Sequence, residues 1–182
     1  MALLDRDPPP DYLADWSYHF AQEQTAEQVD VQSVFIFRIG AEWLALPTPI
    51  FAEVAELRSI HSLPNRRSGV VLGLANVRGE LLVCVSLGNV LGLENAAESN
   101  REQQRSAQQR LLVIGGDGQR LGFPVDEVHG IHRVHAHELK EVPGTVARAT
   151  ATYSKAILAW QQKSVGLLDD QLLLHTLSRS LG

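Results

Sequence analysis

Residues 72–85 read Leu72-Gly73-Leu74-Ala75-Asn76-Val77-Arg78-Gly79-Glu80-Leu81-Leu82-Val83-Cys84-Val85. Two short apolar runs flank a polar segment, and a glycine follows Arg78 where a tight turn needs a positive φ angle. The stretch therefore predicts two apolar strands that hold a rigid turn. Arg78 is the candidate binding residue there, because its planar guanidinium suits carboxylates and protein interfaces.

A second pattern appears on both sides of this stretch and indicates an internal repeat. Val34–Phe37 is β-branched and aromatic, as strands are, and a hairpin with one well-buried face follows from it and Leu44–Pro47. Leu111–Ile114 corresponds to Val34–Phe37, and Leu121–Pro124 corresponds to Leu44–Pro47 at a distance of 77 positions. Gly116-Asp117-Gly118 supplies the hairpin turn between them. Such short, glycine-punctuated units predict two small β-barrels or sandwiches.

Other segments complete the repeat. The runs Ala156–Leu158 and Ser164–Leu168 answer the runs around Leu72 and Leu81. Ile50–Leu57 is ambiguous between strand and helix by periodicity, whereas the leucines between Asp170 and Leu181 predict an amphipathic C-terminal helix.

Two segments differ in composition from these units. Residues 1–32 form a predicted N-terminal extension, in which Tyr12, Leu13, Trp16 and Phe20 recur at near-helical spacing after three prolines. That helix either covers the edge of the main domain or docks a partner protein. Residues 94–109 are polar throughout and predict an exposed loop between a first barrel at 33–93 and a second at 110–178.

Composition excludes several classes of protein. Of 182 residues, 45% are hydrophobic, so the chain is not disordered, and a formal net charge of −5 argues against a general nucleic-acid binder. The longest stretch without Asp, Glu, Lys or Arg is 13 residues, Leu81–Leu93, too short to span a bilayer. With one cysteine and no secretory signal pattern, we expect a cytoplasmic protein in a reducing compartment.

The residues that could bind a metal or act as nucleophiles have simpler interpretations. Four histidines, His129, His132, His135 and His137, could bind a metal, but their spacing fits no zinc signature and favours a solvated strand and turn. Cys84 is expected to be a buried thiol. The sequence has no nucleophile elbow, Walker loop or dinucleotide fingerprint, so we expect no catalytic residues, cofactor or metal.

The central stretch resembles the characteristic motif of the CheW-like family of chemotaxis coupling proteins. The motif is G-hydrophobic-x-N-hydrophobic-R-G, and here it spans Gly73–Gly79, with Ser86 in place of a usual Asp. Upstream, Phe35–Gly40 and Glu53-Val54 keep the family's order, and Leu121–Val128 resembles its second glycine–Val-Asp-x-Val stretch. The resemblance covers about residues 33–178.

The resemblance implies a mainly β fold of two intertwined five-stranded SH3-like barrels with partly exchanged strands. It implies an adaptor, not an enzyme, that joins the cytoplasmic tip of chemoreceptors to the regulatory domain of a CheA-type histidine kinase in membrane-bound receptor arrays. A second coupling protein is a further possible partner, and membrane insertion and nucleic acid are not expected. The partner-binding positions carried over are Phe51, Glu53, Val54, Gly73, Asn76, Val77, Arg78 and Gly79. Among these positions, Glu53 and Arg78 are expected to pair as a charge-assisted bond.

Three departures from the family pattern point to a specialised pathway controlling surface sensing, pili or cyclic-di-GMP. They are the extension at residues 1–32, the missing glycine in Tyr153–Ile157, and Trp160-Gln161-Gln162 in place of a polar-glycine turn. Two other hypotheses stay open from sequence: a metal-binding enzyme or sensor built on the histidine cluster, and a generic β-barrel protein-binding module.

Overall fold

The strands of the protein account for most of its regular structure. The structure is a computed structural model and describes residues 30–64, 69–93, 109–116, 119–142 and 149–181. The described strands are β1 (Val31–Ile39), β2 (Glu42–Pro47), β3 (Phe51–Glu56), β4 (Val71–Val77), β5 (Glu80–Val85), β6 (Arg110–Gly116), β7 (Gln119–Val125), β8 (Glu127–His135), β9 (Leu139–Lys140), β10 (Ser154–Trp160) and β11 (Lys163–Leu168). The described helices are α1 (Leu87–Val90), α2 (Ala149–Tyr153) and α3 (Asp170–Leu181), with 3-10 turns at Thr48–Ile50 and Ala136–Glu138. A mainly β fold is confirmed.

The strands form two sheets that exchange hairpins between the halves of the chain. The six-stranded sheet has the order β8-β1-β2-β11-β10-β9, and the five-stranded sheet has the order β3-β6-β7-β5-β4. Each sheet therefore combines a hairpin from one half with strands from the other half. Within each sheet one contact is parallel, β11 with β2 and β5 with β7. Exchanging β1, β2, β3, β4 and β5 with β6, β7, β8, β10 and β11, respectively, converts the order of the five-stranded sheet into that of the six-stranded sheet without β9.

The register of the parallel contacts matches the predicted repeat. Val83 lies opposite Leu121 in the five-stranded sheet, and Gly166 lies opposite Leu44 in the six-stranded sheet. Leu44 and Leu121 are equivalent positions of the predicted internal repeat. Val83 and Gly166 are also equivalent, since each is the third residue of its run, Leu81–Val85 or Ser164–Leu168. The two halves are thus related residue by residue, although their sequences share few identities.

The first strand is buried on both faces, not on the one face that its sequence pattern predicted. Val34 and Ile36 pack in a core inside the six-stranded sheet, whereas Phe35 and Phe37 pack in a larger core between the two sheets. A strand between two cores reads as a continuous apolar run because neither face meets water. In β6, Leu111 packs in a third core inside the five-stranded sheet, and Leu112 packs between the sheets.

Both sheets curl, and each is closed by the segment that follows one of its outermost strands, β8 in the six-stranded sheet and β3 in the five-stranded sheet. After β8, the 3-10 turn leads to β9, which pairs with β10 through Leu139 and Leu158. After β3, His61 pairs with Leu74 of β4, with hydrogen bonds of 2.8 and 2.9 Å in the two directions. Each predicted barrel thus has five principal strands, and the six-stranded count arises because the second closing segment is long enough to form β9.

Helices cap the sheets at two places. Ser86 is the N-cap of α1, since its hydroxyl accepts the Asn89 N–H at 3.2 Å. Serine and aspartate are both strong N-caps, which explains how Ser86 replaces the family's Asp. The predicted C-terminal helix is confirmed as α3, with Leu173 and Leu177 fully buried. The ambiguous Ile50–Leu57 segment forms strand β3.

The predicted helix at Tyr12–Phe20 and almost all of the predicted polar loop at 94–109 lie outside the described residues. The domain boundaries at residues 32, 93 and 109 stay predictions. None of the helices within the described part of the chain is long and apolar enough to cross a bilayer.

Candidate protein-binding site

The curl of the five-stranded sheet brings Glu53 and Arg78 together. Glu53 lies on β3 and Arg78 follows β4, and these strands stand at opposite ends of the sheet order. Arg78 Nε nevertheless lies 3.1 Å from Glu53 Oε2. The carboxylate is largely buried, with 20% of its side chain exposed, whereas the arginine side chain is 80% exposed. The arginine is therefore presented to solvent against an anchored counter-charge.

The turn that presents Arg78 is a two-residue hairpin loop. Val77 pairs with Glu80, and the intervening Arg78 and Gly79 have φ angles of +52° and +91°. Positive φ at both loop residues is the pattern of the type I′ turn, which matches the twist of the flanking strands. The Gly79 N–H donates to Asn76 Oδ1 at 2.9 Å. Asn76 and Gly79 thus have structural tasks: they hold the backbone on which Arg78 is displayed.

Arg120 also contacts Glu53, and the sequence did not indicate it as a site residue. It lies on β7 and donates both to Glu53 Oε1 and to Glu80 Oε2, so it joins three strands. The hydrogen bond to Glu53, reinforced by Glu80, raises the pKa of Arg120 above its ordinary value. No local motif marks Arg120, because its position depends on the parallel β5–β7 pairing between distant segments. Two arginines and two glutamates together form a charge-balanced surface.

Glu53 is the centre of this surface. Its Oε1 is held by Arg120, whereas its Oε2 is buried and accepts no hydrogen bond from the described residues. Arg78 Nε is close to Oε2 but is not aligned for a hydrogen bond. Buried carboxylate oxygens are usually paired. The Arg78–Glu53 contact is therefore an ion pair that can still gain a well-directed donor.

The other predicted positions divide into partly exposed and buried side chains. Phe51 and Val54 on β3 are half-buried, and Phe51 stacks on Phe35 with ring centroids 4.2 Å apart. Val77 is only 5% exposed and Gly73 is buried. A Cβ at Gly73 would lie 2.1 Å from the His61 carbonyl oxygen. Val77 and Gly73 are therefore inaccessible to a partner, whereas the other six positions are at least partly accessible.

The corresponding place in the second half has different chemistry. Trp160 pairs with Lys163 across Gln161 and Gln162, whose φ angles are +44° and +62°. The turn geometry is therefore kept, but no arginine is displayed. Instead, the Lys163 ammonium lies 3.7 Å from the centre of the Trp43 ring system. Trp43 and Trp160 contact each other and pack against the core of the six-stranded sheet, so these two rings cover that core.

The four histidines are not gathered into one site. His129 lies beside Trp43 and Trp160 and is 3.1 Å from Glu127, whereas the His135 and His137 rings stack with centroids 5.3 Å apart. No group of three His, Cys, Asp or Glu side chains within the described ranges is arranged to hold a metal ion. They lie on β8 and the 3-10 turn, as the strand-and-turn interpretation predicted.

Cys84 is the buried thiol that the sequence predicted. It is fully inaccessible in the core of the five-stranded sheet, and burial raises the pKa of its thiol. A thiol in this environment is kept protonated and is a poor nucleophile.

Comparisons with known proteins agree with this geometry. The model of the CheW-like domain family matches residues 33–178. No curated protein sequence gives a significant match. Among solved structures, the crystal structure of the scaffolding protein TtCheW from Thermoanaerobacter tengcongensis is similar, with a TM-score of 0.62 and 19% identity over 76% of this chain and 84% of that chain. That likeness shows the fold, and the family model covers most of the chain, so the protein belongs to the CheW-like domain family.

Proposed function

We propose that this protein is an adaptor that couples a chemoreceptor to a CheA-type histidine kinase. It acts by binding, with no chemical step of its own. The receptor's helical hairpin docks at the surface formed by Phe51, Glu53, Val54, Asn76 and Arg78, and the kinase's regulatory domain packs against a barrel. Membership of the CheW-like family supports this function, because family members are coupling scaffolds.

The observation that carries the proposal is the display of Arg78. A charged side chain that is 80% exposed normally loses conformational entropy when it binds a partner. Here a turn with two positive φ angles fixes the backbone of Arg78. Its guanidinium pairs with Glu53, whose carboxylate is held in turn by Arg120. Arginine is enriched at binding hot spots, and pre-organisation reduces the entropy lost on binding.

Exchange of Arg78 for glutamate tests the assignment. Arg78→Glu places a third carboxylate beside Glu53 and Glu80, so co-sedimentation with receptor-containing membranes and kinase should fall at least tenfold in apparent affinity. The thermal midpoint should change little, because the arginine side chain is 80% exposed and Arg120 continues to pair with Glu53. Arg58→Glu is the matched control, since Arg58 is 73% exposed and also lies near a glutamate, Glu56.

A double-mutant cycle separates the ion pair from a general charge effect. Glu53→Gln, Arg78→Gln and the double variant should show a coupling energy in receptor binding, because the two residues act as one unit. If Arg78→Glu leaves the co-sedimentation curve unaltered, or weakens it no more than Arg58→Glu does, the assignment of the surface is wrong.

We further infer a specialised chemosensory pathway, with surface sensing, pili or cyclic-di-GMP synthesis as its output, in cytoplasmic assemblies recruited to membrane-bound receptor arrays. Supporting this are the extension at residues 1–32 and the Gln161-Gln162 turn, which keeps the backbone of the first-half turn without its arginine. A second coupling protein in the same array is part of this proposal.

A further inference from the structure

An exposed face lies where the chain enters the six-stranded sheet. Val31 is 38% exposed and Ile131 is 63% exposed, both high for large apolar side chains. Val31 pairs with His135, and Phe35 pairs with Ile131. Arg133 lies on the same strand as Ile131, two positions later. Since residues two apart on a strand, and residues paired across strands, point to the same side of a sheet, Val31, Ile131 and Arg133 share one side. We call these three residues the β1–β8 face.

The segment that precedes the face starts next to it. The Ala136 N–H donates to the Asp30 carbonyl at 2.9 Å, so the chain is fixed at the end of β8 as it enters β1. Residues 1–29 therefore extend from a point directly beside the β1–β8 face.

The composition of residues 1–29 complements this face. They contain six acidic residues and one basic residue, Arg6, a net charge of 1 − 6 = −5, so the remainder of the chain is balanced. Their apolar side chains include Leu13, Trp16 and Phe20 at helical spacing. Arg133 is exposed and makes no ion pair with any residue that the structure describes. A segment rich in acidic and apolar residues thus begins beside two exposed apolar side chains and an arginine that pairs with none of the described residues.

The distances allow the two to meet. Residues 21–29 can span about 30 Å when extended, at roughly 3.3–3.6 Å per residue. The nine residues of β8 also extend over about 30 Å, at roughly 3.3 Å per residue. The segment at residues 11–20 can therefore reach any point of β8, and its tethering raises its effective concentration to the millimolar range.

We propose that residues 11–20 dock in cis on the β1–β8 face. Leu13, Trp16 and Phe20 cover Val31 and Ile131, and the acidic residues of the segment pair with Arg133. Of the two roles that the sequence left open for this segment, the structure favours a cover over a surface for a foreign protein, because the exposed face lies at the point of attachment. This proposal does not depend on receptor or kinase binding.

Intrachain cross-linking in dilute, full-length protein tests the proposal. Ser17→Cys puts a thiol on the predicted apolar stripe without removing an anchor, and Ile131→Cys puts one on the face. The matched control combines Ser17→Cys with Leu81→Cys, because Leu81 is 65% exposed but lies on β5 of the other sheet. Cys84 can stay, since it is fully buried. A mild oxidant then forms the disulfide, and monomeric cross-linked product is followed on non-reducing gels.

The 17–131 pair should cross-link within the chain at least tenfold faster than the 17–81 pair. Adding Trp16→Ala or 0.5 M salt should each slow the 17–131 reaction without altering the 17–81 reaction. Equal rates for the two pairs would overturn the proposal. So would cross-linking at position 131 only between molecules, since a second copy of the chain would then be the occupant.

Discussion

Replacing Gly73 by alanine would place a methyl carbon inside the backbone of the segment that closes the five-stranded sheet. The added Cβ would lie 2.1 Å from the His61 carbonyl oxygen, 2.7 Å from its carbon and 3.0 Å from the Ser62 Cα. All three atoms belong to the backbone, so no side chain can rotate away. The φ angle of +148° at Gly73 is also one that residues with a Cβ rarely adopt.

The magnitude follows from what must be given up. The closing segment has to move, which breaks the two hydrogen bonds between His61 and Leu74, and each contributes about 0.5–1.5 kcal/mol net. The unfavourable backbone angle costs about 1–3 kcal/mol more. We therefore expect Gly73→Ala to lower the free energy of unfolding by about 4 kcal/mol, the sum of these two ranges at their middle values. For a domain of this size, that corresponds to a fall of about 8–16 °C in Tm.

Urea unfolding followed by far-UV circular dichroism measures this change. Gly40→Ala is the control: Gly40 has a φ angle of +59° but no atom within 4 Å of its would-be Cβ. It should cost only about 1 kcal/mol, the strain of a left-handed residue. Hydrogen exchange at the Leu74 amide should rise in Gly73→Ala and not in Gly40→Ala. Equal stability of the two variants would show that a Cβ at position 73 does not displace the segment at His61.

Two further predictions concern the six-stranded sheet. Changing Gln161 to Asn and Gln162 to Gly gives the turn the residues that positive φ angles favour, and should raise the free energy of unfolding by about 1 kcal/mol in urea titrations; a loss of stability would contradict the assigned turn geometry. The hydrogen bond from Arg38 lowers the pKa of Glu127, so this pair stabilises the fold above the unfolded-state pKa of the glutamate, and the contribution is lost as the pH falls through the lower folded-state value. Arg38→Gln should therefore flatten the decline in stability between pH 5 and pH 3, and an unchanged decline would show that the pair contributes nothing.

The hairpin around Arg78 could be predicted from the sequence because it is local. Its apolar runs and its glycine act on neighbouring residues, and the φ angles of Arg78 and Gly79 are those that such a turn requires. The C-terminal helix is of the same kind, since a 3.6-residue period shows directly which side is apolar. For the ion pair of Glu53 and Arg78, only the resemblance to a family suggested the contact.

The way in which the repeated units combine is visible only in the folded protein. The residue pattern predicts a β-rich chain with two related halves and an arginine on a rigid turn. It did not determine that each sheet takes its central hairpin from the other half, because both arrangements bury the same apolar runs. It also did not reveal Arg120, whose contacts with Glu53 and Glu80 join three strands. Pairing between segments distant in sequence leaves no local pattern, and that is why the fold had to place this side chain.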